Sequence, residues 1–399
     1  MKNYTKNTLP KIIWGNESSK QLVNELKTLN IKKCFIISGS HIIQHEISQR
    51  ILDDLKNADI DYDVFSNVTP EPTDVLCLKL ASMIKESQCD CVIGLGGGSP
   101  MDAAKAATLI AGIDEEIEDL HDYGKTGTKM HPEWSRPCPL VLVPTTSGSS
   151  AETTASAVIT STLHHLKFSF GNQHIQADLA IIDPLFTVGM PKNATIYGGL
   201  DALSHATENL VGTASNEYTN TMMLKCIEKV LKWLPIAVKE PDNLEAREQL
   251  SWASHNSLAN GGIPNGHAIA HALGSLYHLT HGHACTLVLP NVIRHFALTA
   301  SSQIKELALL MNLEINDDTE KNAHTVASYL VDFYKKLGLK TLQETFKEKN
   351  IHETNESFAS KMIPVILDDF KSKEWLPPIH TGDYHTKISK VCDMIFNEK

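Results

Sequence analysis

Two stretches of the chain concentrate the side chains that bind metals and move protons. In GGLDALSHATE, Asp201 and His205 lie four residues apart, so a helix sets both on one face, one turn from each other. That spacing suits two ligands of one ion. In NGHAIAHALGSLYHLTHGHACTLVLP, His267, His271, His278, His281 and His283 fall within seventeen residues bracketed by apolar sequence, too many imidazoles for core filler alone. His267 and His271 again share a helix face. Gly274 and the polar break at 278–282 let the chain turn so that His281 returns to the same centre. Either His267 or His271 completes a set with His281, and spacing does not choose between them. Three neutral imidazoles and one carboxylate leave a position for a substrate oxygen. Nitrogen and oxygen donors without thiolate suit ferrous iron or zinc, acting as a Lewis acid on a carbonyl or alkoxide.

A third stretch, CVIGLGGGSPMDAAK, reads as a buried strand ending in a glycine turn, with Pro100 placed for the first turn of a helix. Glycines there let backbone amides approach a pyrophosphate, and the helix start offers unpaired N–H groups and a positive dipole end. The dinucleotide fingerprint Gly-x-Gly-x-x-Gly is met only in part: Gly94 and Gly96 are followed by Ser99 where a third glycine is expected. Two further polar turns, Ser38-Gly39-Ser40 and residues 144–150 (PTTSGSS), also follow apolar runs. Three such turns at the carboxyl ends of strands imply a dinucleotide crevice. A dinucleotide beside a metal points to hydride transfer across an interdomain cleft.

These groups need a scaffold, and the hydrophobic periodicity supplies one. Up to about residue 188, β-branched runs at 34–38, 62–65, 91–95, 140–144, 155–159 and 179–183 alternate with amphipathic stretches at 19–29, 45–57, 73–87 and 100–112. This is the pattern of βα units around an open parallel sheet. From about Pro191 the strand signals stop, and apolar residues three and four apart predict helices at 194–210, 217–234, 244–260, 319–337 and 355–367. The expected domains are therefore 1–188, α/β and nucleotide-binding, and 189–399, all-helical and metal-binding.

Composition narrows the functions further. The chain has 399 residues, 42% of them hydrophobic, and a net charge of −11, so it lacks the basic field that nucleic acid requires. No run of about 18 apolar residues and no secretory signal is apparent, which predicts a cytoplasmic protein with no membrane partner. The eight cysteines contain no CxxC. Most of them, Cys285 in CTLVL included, read as buried, reduced small hydrophobes rather than ligands.

Taken in order, GGGSPMDAAK, PTTSGSSAE, GGLDALSHATE and HAIAHALGSLYHLTHG resemble the iron-containing (group III) alcohol dehydrogenase family over essentially the full length. The resemblance implies an N-terminal Rossmann-like open sheet and an all-helical C-terminal domain, an architecture shared with dehydroquinate synthase. It places the metal ligands on Asp201, His205, His267 and His281, which leaves His271 near substrate and nicotinamide in a proton relay. It places cofactor contacts on Gly97, Gly98, Ser99 and Asp102, on Thr145, Thr146, Ser149 and Thr154, and on Lys167. Two positions depart from the NAD-preferring pattern: Gly39 replaces an acidic residue at the adenosine ribose, and Glu71 replaces an asparagine before a proline. A missing carboxylate at Gly39 removes repulsion toward a 2′-phosphate, so the choice between NAD and NADP stays open with a lean to NADP.

Further expectations follow from the same resemblance. Iron is the expected metal, with zinc as the alternative, and a small alcohol or aldehyde is the expected substrate. A homodimer or larger homo-oligomer is the expected assembly. Leu258, Pro264, Asn265 and Tyr277 are candidates for the substrate pocket, whereas His164, His165, His278 and His283 are expected at the surface or behind the ligands. The competing activity is a non-redox lyase of the dehydroquinate synthase type using NAD and zinc. The stretch 260–290 carries no Lys or Arg for a phosphate or carboxylate substrate, which weighs against it.

Overall fold

A computed structural model describes residues 10–125, 133–212, 215–258, 265–296, 300–371 and 384–398. Its first half is a parallel sheet built from β1 (Lys11–Trp14), β2 (Lys33–Ser38), β3 (Asp61–Phe65), β4 (Cys91–Gly96), β5 (Leu140–Pro144) and β8 (Leu179–Ile182). The strand order is β1-β8-β5-β4-β2-β3. β2 has β3 on one side and β4 on the other, so the winding direction reverses between β2 and β4. Such a switch point opens a crevice beyond the carboxyl ends of the strands.

Side chains alternate across these strands. Phe35, Ile37, Val92, Leu140 and Leu142 pack on one face, and Cys34, Ile36, Cys91, Ile93, Val141 and Val143 on the other. Both faces are buried, which explains why β2, β4 and β5 read as continuous apolar runs rather than alternating ones. Helices α4 (Asp74–Ser87) and α5 (Gly98–Ala111) cover the first face, while α1 (Leu22–Thr28) and α3 (Glu46–Asn57) cover the second. The short α2 (Ser40–Ile43) follows β2, and α6 (Leu120–Lys125) follows α5. Thr73 caps α4 by accepting the Leu76 N–H.

The sequence placed residues 155–159 among the strands of the parallel sheet, and here the structure differs. The strand is β6 (Ala157–Ser161), which pairs antiparallel with β7 (Leu166–Phe170) in a separate two-stranded hairpin. Only four residues lie between the two strands, too few for a parallel crossover and enough for a tight turn with His165 at a positive φ of 54°. The sequence reading also lacked β1 and β7.

After β8 and a short turn at Pro184–Thr187 the chain is helical among the described residues: α7 (Lys192–Val211), α8 (Glu217–Lys239), α9 (Leu244–Asn256), α10 (Asn265–Tyr277), α11 (His281–Phe296), α12 (Ser301–Leu310), α13 (Thr319–Lys336), α14 (Leu342–Glu348), α15 (Asn355–Lys371) and α16 (Tyr384–Asn397). One apolar cluster, drawn from α7 through α16, fills this half. Asn216 and Thr219 form a reciprocal capping box at the start of α8, and Thr341 and Glu344 do the same for α14. At the middle of this bundle, α11 packs against α7, α10 and α13, which gathers the two histidine stretches of the sequence.

Candidate functional site

The nucleotide side starts at the carboxyl end of β4. Gly96 has a φ of +152°, and a methyl group there would lie 2.7 Å from the Pro100 ring, so the turn into α5 requires glycine. Gly94 serves packing instead, since a Cβ would meet Leu142 at 2.7 Å and Ala104 at 2.9 Å. Gly97 and Gly98 face the polar turn after β5: their added methyls would lie 3.3 Å from Thr146 Oγ1 and 3.2 Å from Ser149 Oγ. The Thr145 N–H donates to the Gly96 carbonyl at 2.9 Å. The Thr145 hydroxyl is buried without a hydrogen-bond partner, an acceptor and donor that a ligand in the crevice can satisfy. Ser99 Oγ accepts the Glu71 N–H at 3.2 Å. Gly39 stands at the start of α2 with an extended backbone, and a methyl added there meets only the Val68 carbonyl, at 3.6 Å.

Behind the glycine turn lies a lysine that sequence reasoning left unassigned. Lys105, one turn after Asp102 in α5, is fully buried. Its Nζ donates to the Ala151 carbonyl at 2.8 Å, to Thr154 Oγ1 at 3.0 Å and to the Ser156 carbonyl, and pairs with Asp102 Oδ1 at 3.0 Å. Asp102 Oδ2 in turn accepts the Val158 N–H at 3.0 Å. Asp102 and Thr154 thus fasten the loop after β5 to α5, and that loop carries Thr145, Thr146 and Ser149. Lys105→Met removes the cation from this buried set. It is expected to cost about 3–5 kcal/mol of stability, as breaking a buried pair does, read as a lower midpoint of denaturant unfolding.

Lys167, on β7, pairs with Glu71 Oε1 at 2.6 Å, and a methyl at Gly274 of α10 would lie 3.2 Å from its Nζ. The ammonium therefore stands between the β4 side of the crevice and the histidine helix. The two halves also touch where Gly148 meets α7: a Cβ at Gly148 would lie 2.7 Å from the Gly198 Cα. Ser150 Oγ and Ser257 Oγ share a hydrogen bond of 2.9 Å beyond the end of α9. The polar turn after β5 thus contacts both the glycine turn and the helix that bears Asp201.

One turn beyond Gly198, Asp201 meets the second cluster. Its Oδ1 lies 3.3 Å from His267 Nε2, 3.4 Å from His281 Nε2 and 3.7 Å from His205 Nε2. The His205 ring stacks on His267 with centroids 4.4 Å apart. Asp201, His205, His267 and His271 are buried, while the His281 side chain keeps 34% of its surface exposed, marking the side from which a small molecule can reach the centre. His271 is not against Asp201; its ring stands 5.4 Å from His281 and 6.4 Å from His267.

Two partners of this centre escaped the sequence reading. Glu208 accepts from His267 Nδ1 at 3.0 Å and from the Gly266 N–H at 2.6 Å, which turns Nε2 of His267 toward Asp201. A carboxylate behind a metal-facing histidine fixes its tautomer and raises its basicity. The signal was present, because Glu208 continues the Asp201 and His205 face at the seventh position. Cys285, expected to be filler, lies 3.6 Å by its Sγ from His267 Nε2, 3.7 Å from His281 Nε2 and 3.8 Å from Asp201 Oδ1.

The charges of the cluster follow from this crowding. Burial alone raises the Asp201 carboxyl, but His205, His281 and the hydrogen bond from His267 overcome it and hold the group well below the carboxylate range. Burial drives the His205 imidazole down to about 3, against the attraction of Asp201. Burial also opposes the charge on His281, yet Cys285 and Asp201 raise it to about 9, and Cys285 and Glu208 likewise raise His267. The Cys285 thiol is drawn below its ordinary value, against burial, by His267 and His281. Carboxylate, thiol and imidazoles share protons here, and each of these donors can bind a divalent cation in their place.

The remaining expectations fall outside the centre. Tyr277, a pocket candidate, packs into the helical core against Phe346 and Phe358, with centroids 4.8 and 5.7 Å away, and its hydroxyl donates to Glu353 at 3.3 Å. The end of α10 directs it into the bundle, so it is a packing residue. Leu258 is half-buried just after α9; Pro264 lies outside the described residues, and Asn265 begins α10. His278 caps α10 at a φ of 52°, and His283 bonds the Lys340 carbonyl at 3.1 Å while stacking on Tyr197. His164 pairs with Asp119 at 2.7 Å.

A profile described as iron-containing alcohol dehydrogenase matches residues 10–184, and one described as the C-terminal domain of the Fe-containing alcohol dehydrogenase family matches 195–366. The chain is 30% identical over 361 residues to an NADPH-dependent butanol dehydrogenase of Clostridium saccharobutylicum, covering 89% of each chain. It is 28% identical over 310 residues to an NAD-dependent methanol dehydrogenase of Bacillus methanolicus, covering 77% of this chain and 80% of the other. In fold it matches the crystal structure of an NADH-dependent butanol dehydrogenase from Thermotoga maritima, with a TM-score of 0.87 over 99% of each chain at 23% identity.

Proposed function

The chain belongs to the iron-containing alcohol dehydrogenase family, and from that premise we propose that it interconverts a small primary alcohol and its aldehyde at the junction of its two halves. It is an NAD(P)-dependent oxidoreductase. The observation that carries the site assignment is the meeting of the Asp201, His267 and His281 donor atoms within 3.4 Å of Asp201 Oδ1, on the helix that also touches the polar turn after β5.

Asp201, His205, His267 and His281 would hold the metal, and the donor set fits a divalent ion: one carboxylate and three imidazoles, with Glu208 orienting one of them. A divalent cation bound there supplies Lewis acidity toward an alcohol or carbonyl oxygen, and a bound nicotinamide supplies the hydride acceptor or donor. The glycine turn would present the N–H groups of α5 to the pyrophosphate, with Gly97 close to Thr146 and Gly98 close to Ser149. Lys167, paired with Glu71, places its charge between the glycine turn and α10. His271, buried 5.4 Å from the partly exposed His281 ring, receives the hydroxyl proton during oxidation and returns it during reduction.

The nucleotide preference follows from Gly39. Gly39 brings no carboxylate to repel a 2′-phosphate, and the relatives use either NAD or NADPH by name. NADPH is the favoured cofactor in our reading. The open space above Gly39 makes the test simple, because a side chain fits there. Gly39→Asp is expected to lower kcat/KM for NADPH by roughly 10–100-fold, the worth of one charge-bearing contact, while NADH is used as well or better. Equal loss with both nucleotides would refute the assignment.

Turnover decides the function as a whole. Anaerobic oxidation of NADH and NADPH is followed with a panel of short aldehydes after reconstitution with iron or with zinc. Aldehyde-dependent oxidation that requires the metal is expected, with iron the more active ion. Tight nucleotide binding with no oxidation across the panel would overturn the dehydrogenase reading.

A further inference from the structure

We propose that the Cys285 sulfur is itself a ligand of this metal, which gives the centre a soft donor beside its nitrogens and carboxylate. The inference rests on reading the cluster as a metal site. It concerns a residue that follows His281 by one helical turn in α11, so the two point to the same side.

Distances between donor atoms carry the argument. With bonds of about 2.0–2.1 Å to nitrogen or oxygen and about 2.3 Å to sulfur, a tetrahedral centre has edges of roughly 3.3–3.4 Å between N/O donors and roughly 3.5–3.6 Å from sulfur to each. Asp201 Oδ1 lies 3.3 Å from His267 Nε2 and 3.4 Å from His281 Nε2. Sulfur lies 3.6 Å from His267 Nε2, 3.7 Å from His281 Nε2 and 3.8 Å from Asp201 Oδ1. These five edges match the edges of a tetrahedron with sulfur at one vertex to within about 0.3 Å.

The four donor atoms lie within 4.8 Å of one another, a set from which His205 stands apart with its Nε2 3.7 Å from Asp201. Cys285 belongs to the helical apolar cluster, as Cys226 does, yet a thiol that merely filled the core would face only apolar atoms. Cys285 instead meets three polar donors. On binding, the thiol proton passes to solvent and the sulfur lone pair forms the bond to the cation. His205 would add a fifth donor beside these four, and a thiolate in the set would strengthen the binding of zinc without deciding which ion is the more active.

X-ray absorption at the zinc edge tests this on the full chain reconstituted with zinc, alongside Cys285→Ser. The expected spectrum has a sulfur shell at about 2.3 Å beside the nitrogen and oxygen shell at about 2.0–2.1 Å. Cys285→Ser loses the sulfur shell and keeps the other. Zinc bound through nitrogen and oxygen alone in the unaltered protein overturns the proposal and leaves the metal centre standing, as does a sulfur shell that survives the substitution. A protein that takes up neither zinc nor iron overturns the metal reading itself. Should Cys285→Ser fail to fold, the spectrum of the unaltered protein decides by itself.

Discussion

Replacing His267 by alanine is expected to empty the centre of metal. His267 Nε2 faces Asp201 at 3.3 Å while its Nδ1 is held by Glu208 at 3.0 Å, so the substitution removes a donor and the group that Glu208 orients. Loss of an orienting partner alone lowers metal affinity by roughly 10–100-fold. Loss of the ligand exceeds that, and metal-dependent turnover falls with it. Glu208→Gln is the intermediate case: the ligands stay and the affinity drops within that range. Metal content after reconstitution, with circular dichroism to confirm the fold, checks both. Full occupancy in the alanine protein would remove His267 from the centre.

His271→Ala should behave in the opposite way. Its ring lies 6.4 Å from His267 and 5.4 Å from His281, and no donor of His271 belongs to the group around Asp201. The metal is therefore expected to stay. A general acid or base contributes roughly 10²–10⁴-fold to rate, so kcat is expected to fall by that order and its pH dependence to flatten. Steady-state kinetics across pH, paired with metal analysis of the same sample, separates the two histidines. Loss of metal together with rate would make His271 a ligand or a support of one.

The contrast between these residues shows where sequence alone stopped. His267 and His271 are four residues apart on α10, and the helix period puts both on one face without saying which meets Asp201. That depends on how α10 crosses α7 and α11, a tertiary fact. The family resemblance named His267, and the packing brings it against Asp201. The alternation of apolar runs gave β2, β4 and β5 within a residue or two because strands buried on both faces carry the strongest pattern. It missed β1, a four-residue edge strand with a half-exposed pattern, and assigned β6 to the parallel sheet because a strand's period is silent about its partner.

Single residues were harder for a different reason. Lys105 carries no signal of its own in PMDAAK; its role appears only where the loop after β5 folds over it and supplies three oxygen acceptors. Cys285 sits in an apolar run, and only the register of α11 turns its sulfur to the polar side. Tyr277 stands among the pocket candidates, yet the end of α10 points it at Phe346 and Phe358. Buried polar groups owe their roles to neighbours distant in the chain, which neither composition nor periodicity encodes.

The most direct measurement is an anomalous difference map from crystals of the metal-loaded protein with NADP bound, collected at the edge of the ion supplied. The expected result is one dominant peak among Asp201, His267 and His281, with the nucleotide's pyrophosphate against Gly97 and Gly98. A peak elsewhere, such as beside Asp119, His121 and His164, whose donor atoms also lie within 4.8 Å of one another, with none at Asp201, would contradict the account.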